Sequence, residues 1–448
     1  MYLTERSSPP QRPPSRLDRT DRARPWVGST LIGLGLTSFF TDISSEMVAA
    51  VLPLYVVTQL GFSNVAVGLV DGVSQVCSAL LRPLGGALAD RYRRYKETAA
   101  AGYGLSALAR VALATFATTT TAVVGVQFVD RLGKGIRTAP RDAAISLSTP
   151  PEALGRAFGL HRTLDTAGAL AGPLLAFAVL ARTRQNLHTV FVWSALFAFL
   201  GLAMLGLLVR NPVLRPAPAP AAGGTGGAGP ARRVARGAKV RSLVGRRELA
   251  PILGASACLG VGTVGDAFLY LALRDRGLVA DRWFPLLFAA TAVVYLLLAT
   301  PLGWLADRVG RARVLLAGYV ALLAVYVVLA VSPAGAAIGP RWLIAAVGLV
   351  LLGAYYAATD GVLAALVSSV TAATERTTGI AVVTTVAALA RFGAAIGFGV
   401  VSERWGYRVA LGGFAVLLAG GLAGAAHLLG RSRPAPAGAG RDEEEVRR

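Results

Sequence analysis

The sequence predicts an all-α integral membrane protein, with twelve transmembrane helices in two pseudo-symmetric six-helix bundles. Three observations carry that prediction. Hydrophobic residues make up 54% of the 448 and charged residues only 15%, well under the about 25% charged residues of soluble chains. The apolar residues gather into stretches long enough for a helix to cross about 30 Å of hydrocarbon. A helix-exit signature also occurs twice: Pro-Leu-Gly from Pro83 runs into Asp90-Arg91, and Pro-Leu-Gly from Pro301 runs into Asp307-Arg308. One exit signal in each half of an apolar chain implies a duplicated bundle.

Charge sets the orientation. The net charge of +21, from 45 Lys and Arg against 24 Asp and Glu, would suit a nucleic-acid surface if it formed one basic face. It does not. Arginines gather in the N-terminal arm, in Arg91 to Lys96, in residues 210–247 and near the C-terminus, with apolar spans between. This positive-inside pattern places both termini in the cytoplasm of a cell-membrane protein, with lipid rather than nucleic acid as partner. Cys77 and Cys258 fall within apolar spans of different halves, which reads as small packing residues and not a disulfide.

In order, residues 1–27 are Pro- and Arg-rich and read as a disordered basic cytoplasmic arm, not a cleaved signal peptide. The first bundle occupies 28–210, with spans at 28–58, 66–89, 98–118, 121–141, 155–181 and 188–210. Pro-Ala repeats, a Gly run and clustered arginines make 211–248 a flexible basic linker. The second bundle occupies 249–430, with spans at 249–273, 283–306, 313–332, 341–367, 377–401 and 407–430. Short connections force neighbouring spans to run antiparallel. Residues 431–448 form a charged cytoplasmic tail.

Charges inside hydrocarbon cost about 2.5 kcal/mol or more at a helix centre, so each is a functional candidate. Asp42 and Glu46 stand one turn apart on the first span and share a helix face. Asp42 lies about 21 Å along that span at about 1.5 Å per residue. Two carboxylates so placed repel, which suits a site that holds a proton or a cation. The fourth span carries Asp130-Arg131-Leu132-Gly133-Lys134-Gly135, with Arg131 near mid-depth. A phosphate loop is excluded, since the full Gly-x-x-x-x-Gly-Lys-Ser/Thr pattern is absent. On the fifth span Asp165 is placed to reach Arg131, as a structural or a coupling pair. Lys134 is a candidate contact for an anionic substrate. Asp71 and Asp266 fall toward external ends and read as gate contacts. Arg391 lies deep with no assigned partner, and Phe39, Phe40, Tyr55, Tyr355 and Tyr356 are candidate cavity aromatics.

The two exits have a local logic. Small residues such as Gly86 and Gly303 let helix backbones approach. Asp90 and Asp307 end a helix beside Arg91, Arg94, Arg308 and Arg311, which sit at the anionic-lipid layer. This pattern resembles the loop between helices 2 and 3 of the major facilitator superfamily and its echo between helices 8 and 9. The resemblance implies a cytoplasmic latch that breaks as a transporter changes face. The first copy departs from the family at Tyr92-Arg93, whereas the second keeps the family Gly as Gly310. Arg131 and Gly135 resemble the family's helix 4 motif, whose Arg is linked to proton transfer, although Lys134 replaces the usual Gln. Gly159, Gly168, Gly172 and Pro173 resemble the helix 5 motif of antiporters, except that Ala176 and Phe177 replace its final glycine pair.

The resemblance spans residues 28 to 430 and implies a secondary transporter of a small molecule, working by alternating access and coupled to a proton or another ion. The helix 5 motif implies export, and family members are commonly monomers. An importer or uniporter of a small metabolite or metal chelate remains the alternative, as does a sensor that binds without translocating. An enzyme is not expected. The chain has no nucleotide loop, its three histidines (His161, His188, His427) are far apart, and nothing in it calls for a metal or another cofactor.

Overall fold

The computed structural model describes residues 28–92, 94–209, 249–333, 338–371 and 376–431. The arm 1–27, the linker 211–248 and all of the tail but Arg431 lie outside the described residues. Among the described residues every long element is a helix. The first six passes are α1 (Ser29–Thr58), α2 (Asn64–Tyr92), α3 (Tyr95–Phe116), α4 (Thr120–Ser148), α5 (Leu154–Arg182) and α6 (Leu187–Leu208). The seventh pass is α7 (Ala250–Val261) continued by α8 (Asp266–Asp275). The eighth and ninth are α9 (Phe284–Val309) and α10 (Arg311–Val331). The tenth is α11 (Ile338–Thr359) continued by α12 (Val362–Val370), and the last two make up α13 (Arg376–Arg431), which turns at Gly406.

Successive passes alternate in direction, so the bundle has two faces. The terminal face carries Gly28, Val209, Leu249 and Arg431, and the distal face carries Thr58, Asn64, Arg182 and Glu403. Within the first six passes, α1 packs on α5 and α6, while α4 packs on α2 and α3. Within the last six, α13 packs on α7, and α11 packs on α9 and α10. The buried cores are apolar: Met47, Val51, Leu180 and Phe191 in one half, Phe268, Leu322, Phe398 and Leu418 in the other.

The outer surface is apolar too. Leu207 is 79% exposed, Val416 74% and Leu297 69%. Soluble proteins do not leave so many large apolar side chains uncovered. Hydrocarbon is the solvent that accepts them, so this is a multi-pass membrane protein.

Glycines permit the closest helix contacts. Any side chain at Gly168 would meet the Phe39 carbonyl, and one at Gly172 would meet Ile43 and Met47 backbone, so α5 lies directly on α1. Gly135 meets Leu81 of α2 in the same way. Gly159 and Gly303 face open space, so close approach is not their role here.

The structure corrects three spans. The seventh is broken at residues 262–265, where glycines at Gly262 and Gly265 disfavour helix. The freed backbone is satisfied by one side chain: Val264 N–H donates to Tyr326 Oη (2.8 Å), and Tyr326 O–H donates to the Gly262 carbonyl (3.0 Å). The tenth is broken at Gly361, whose φ of 77° is the left-handed conformation that favours glycine. The fourth does not stop at 141 but continues through Pro140 to Ser148.

Candidate functional site

A cavity of about 250 Å³ lies on the seam between the halves. That is slightly under the about 300–1,000 Å³ usual for ligand sites, room for a small solute. α1 contributes Glu46, α2 contributes Asp71 and Gln75, α4 contributes Gln127 and Arg131, and α8 contributes Asp266. Leu52, Val56, Val67 and Phe288 supply apolar wall. The cavity therefore has charged groups from both halves within an otherwise greasy interface.

Its distal side is shut. Gly68 and Gly72 of α2 lie against Ala395 and Phe392 of α13, and Gly399 lies against Asn64 and Val65. Glu403 accepts a hydrogen bond from the Asn64 N–H at 2.6 Å, and the Tyr407 hydroxyl donates to Asn64 Oδ1 at 2.7 Å. On the other side of the seam the Phe177 ring stacks on Trp283 at 5.4 Å.

Behind the cavity wall the first half holds a buried charge network. Arg110 on α3 pairs with Asp130 on α4 at 2.9 Å, both side chains 2% exposed. Arg110 also donates to Ser45 Oγ at 3.3 Å. Arg131 reaches the same carboxylate at 3.7 Å, so Asp130 steadies the guanidinium that lines the cavity. Arg137 donates to Ser106 Oγ at 2.9 Å and stands 4.6 Å over the Tyr103 ring. Pairing with opposite charge is what lets such groups persist away from water.

Asp42 and Glu46 share a helix face but not a task. Glu46 lines the cavity. Asp42, one turn toward the terminal face, lies within hydrogen-bonding reach of the Asp165 carboxyl. Lys134 is the foremost cationic neighbour of both Asp42 and Glu46. It therefore faces acids of its own half, not the cavity.

The expected Arg131–Asp165 pair does not form. Asp165 is taken by Arg141 at 3.5 Å, His161 at 3.8 Å and Arg162 at 3.8 Å. The continuation of α4 past Pro140 brings Arg141 there, where it also donates to Ser38 Oγ at 3.0 Å. Asp71 and Asp266 both line the cavity; Asp71 also rests against Gly265 across the seam, and Tyr356 donates to Asp266 Oδ1 at 2.9 Å. Arg391 finds the hydroxyls of Tyr319 and Tyr355, each at 3.4 Å. Phe40 stacks on Phe197 at 6.4 Å, and Tyr55 meets Phe191 edge-on at 4.8 Å. Those aromatics serve packing, not the cavity wall.

At the terminal face, Asp307 pairs with Arg311 at 3.1 Å, and Arg311 donates to the Ala365 carbonyl of α12 at 2.9 Å. Arg308 lies 3.5 Å over the Trp304 ring. Of the first exit, the side chains of Gly86, Asp90 and Arg91 lie outside the described residues, and Arg94 is exposed.

Sequence reasoning passed over Arg110, Arg141, Gln75 and Gln127. An arginine in the middle of the third span was the missed signal for Arg110. Asp71, Ser74, Gln75 and Ser78 make a polar stripe at helical spacing, legible as one face of a helix.

The sequence model of the Major Facilitator Superfamily matches residues 34–281 and again 282–447. An uncharacterized MFS-type transporter of Methanocaldococcus jannaschii is 30% identical over 64% of this chain and 68% of its own length. An uncharacterized protein of Mycobacterium tuberculosis is 28% identical over 62% of this chain and 65% of its own. Among solved structures, a mutant of the nucleoside transporter NupG superposes with a TM-score of 0.73 at 16% identity, covering 90% of this chain and 100% of that one. A mutant of the peptide transporter POT gives 0.69 at 18% identity, covering 90% and 94%. At such identities the superpositions speak for the fold alone.

Proposed function

The chain belongs to the major facilitator superfamily, and from that premise we propose a transporter that exports a small molecule by alternating access, driven by proton exchange. One observation carries this reading. The cavity is lined by Glu46 and Arg131 from one half and by Asp266 from the other, so a solute held there is held by both bundles. Rocking one bundle against the other would then expose the solute to alternate sides.

In this reading Glu46 and Arg131 contact the substrate. Asp42 and Asp165, in reach of one another, carry the proton, and Lys134 couples them to Glu46 by charge. The family-like Gly159, Gly168, Gly172 and Pro173 favour export over import. Gly86, Asp90, Arg91 and Arg94, with Gly303, Asp307, Arg308 and Arg311, latch the terminal face. That face is cytoplasmic in a cell membrane, and the working unit is a monomer. The domain division at residues 211–248 is part of the same proposal.

The test is proton movement in proteoliposomes on addition of small-molecule pools, with Asp42→Asn and Glu46→Gln beside wild type. Substrate-driven proton movement that Asp42→Asn abolishes supports the assignment. Solute flux without proton movement, unchanged in both variants, refutes the coupling and leaves a uniporter.

A further inference from the structure

Two exposed charges on opposite halves have no part in the reading so far. Arg162 of α5 has a side chain 80% exposed, with its guanidinium 3.8 Å from Asp165. Asp360 is exposed at the break in the tenth pass, between α11 and α12. Its backbone is pinned there: the N–H donates to the Tyr356 carbonyl at 2.8 Å, and the carbonyl accepts from the Val362 N–H at 2.9 Å. Its side chain is aimed by Tyr295 of α9, whose hydroxyl donates to Oδ2 at 3.2 Å. Charges exposed this far inside spans face water and not hydrocarbon.

Both point into the seam. Tyr295 follows Phe288 by two turns and lies about 20° from it round α9, and Phe288 lines the cavity. Arg162 lies about 60° round α5 from Phe177, whose ring stacks on Trp283 of the other half. Arg162 is also the first half's charged neighbour of the Tyr295 hydroxyl. Arg162 and Asp360 therefore flank the way from the cavity to the terminal face, about 10 Å beyond the cavity by the rise along α9. In the present conformer the distal side is shut, Arg162 stays beside Asp165, and Asp360 holds the hydroxyl of its own half. Opposite charges thus stand on the two walls of one gap.

We propose that Arg162 is exchanged between the halves: it sits with Asp165 while the distal side is shut, and pairs with Asp360 across the seam when the terminal side shuts. The proposal rests on the alternating-access reading and names a residue that ties closure of the terminal side to the Asp42–Asp165 pair. In the exchange Asp165 gives up one of its three cationic neighbours and keeps Arg141 and His161. Arg162 is a positioning residue, since it acts through two carboxylates and not on the solute. Closure encloses the new pair, so water and salt screen it less than the exposed contact it replaces.

The experiment is a distance measurement on the full chain in lipid nanodiscs. Spin labels go on Gly155→Cys and Ser369→Cys, exposed positions at the terminal ends of α5 and α12, in a Cys77→Ser Cys258→Ser background. Asp360→Arg sets like charges face to face while leaving the Arg162–Asp165 contact in place. It is expected to lower the ratio of short to long terminal distances about tenfold. Adding Arg162→Glu to Asp360→Arg restores opposite charges in reversed order, and is expected to bring the ratio back to within about threefold of wild type. A merely structural role for either residue gives no such rescue.

A ratio that Asp360→Arg does not move overturns the proposal, as does a double variant that behaves like Asp360→Arg alone. Labels on Ser63→Cys and Arg404→Cys, exposed at the distal ends of α2 and α13, separate the two readings. Two populated distances at both faces of the wild type keep alternating access, so charge variants without effect then refute the exchange alone. One fixed distance at each face, in wild type and variants alike, refutes both.

Discussion

Replacing Arg110 with Leu is the sharpest test of how the first half tolerates charge at depth. The guanidinium is 2% exposed, 2.9 Å from Asp130, and bonded to Ser45. Removing it leaves Asp130 in a dry interior with Arg131 as its remaining counter-charge, at 3.7 Å. Breaking one side of a buried pair costs about 3–5 kcal/mol. Because Arg131 is on hand, we expect the lower end, about 3 kcal/mol. Arg131 then turns toward Asp130 and away from the cavity, so substrate affinity falls as well. The pair is isolated by a cycle: Arg110→Leu, Asp130→Leu and both together, unfolded in detergent by denaturant and followed by circular dichroism. The double variant should recover about 2 kcal/mol relative to the sum of the singles, because the buried pair is removed as a unit and only Arg131, at the cavity, loses its carboxylate. A double variant whose loss equals that sum would mean that the two residues act independently and that the ion pair does not organise this interior.

Three further expectations follow from single contacts. Gly172→Leu should destabilise the fold by about 3 kcal/mol or more, since the side chain would meet Ile43 and Met47 backbone; loss of monodisperse protein on gel filtration reads it. Asn186→Ala should cost about 1 kcal/mol, because Asn186 Oδ1 accepts from the N–H groups of His188 (3.1 Å) and Thr189 (3.4 Å) at the start of α6; a thermal melt with unchanged transport checks it. Arg311→Ala removes a half-exposed pair with Asp307 and should alter stability by under about 1 kcal/mol. It also frees the Ala365 carbonyl, so the transport rate should fall about tenfold while the melt barely moves.

Much of the architecture was legible because membranes impose a simple rule. A stretch of hydrocarbon length must be helical to satisfy its own backbone, so apolar runs mark most of the passes. Candidate residues were legible for the same reason: Asp42, Glu46 and Arg131 stand out against an apolar background. Partners were not. Asp165 pairs with Arg141 and not Arg131 because of how the fourth and fifth passes lie against each other, which hydropathy does not register. Arg391 ends on Tyr319 and Tyr355, residues of two other passes.

What the sequence by itself determined was the class: an apolar helical chain, duplicated, with charges placed where hydrocarbon would not tolerate them without purpose. Those properties are local, written in runs and spacings along one strand of residues. Only the tertiary structure decided which charges meet. Glu46 and Asp42, one turn apart, part company into a cavity and a carboxyl pair, while Asp71 and Asp266, far apart in the chain, come to share a wall. Electrostatic pairing depends on distances of a few ångströms between helices, and those distances come from the close glycine contacts, the bent passes and the shut seam.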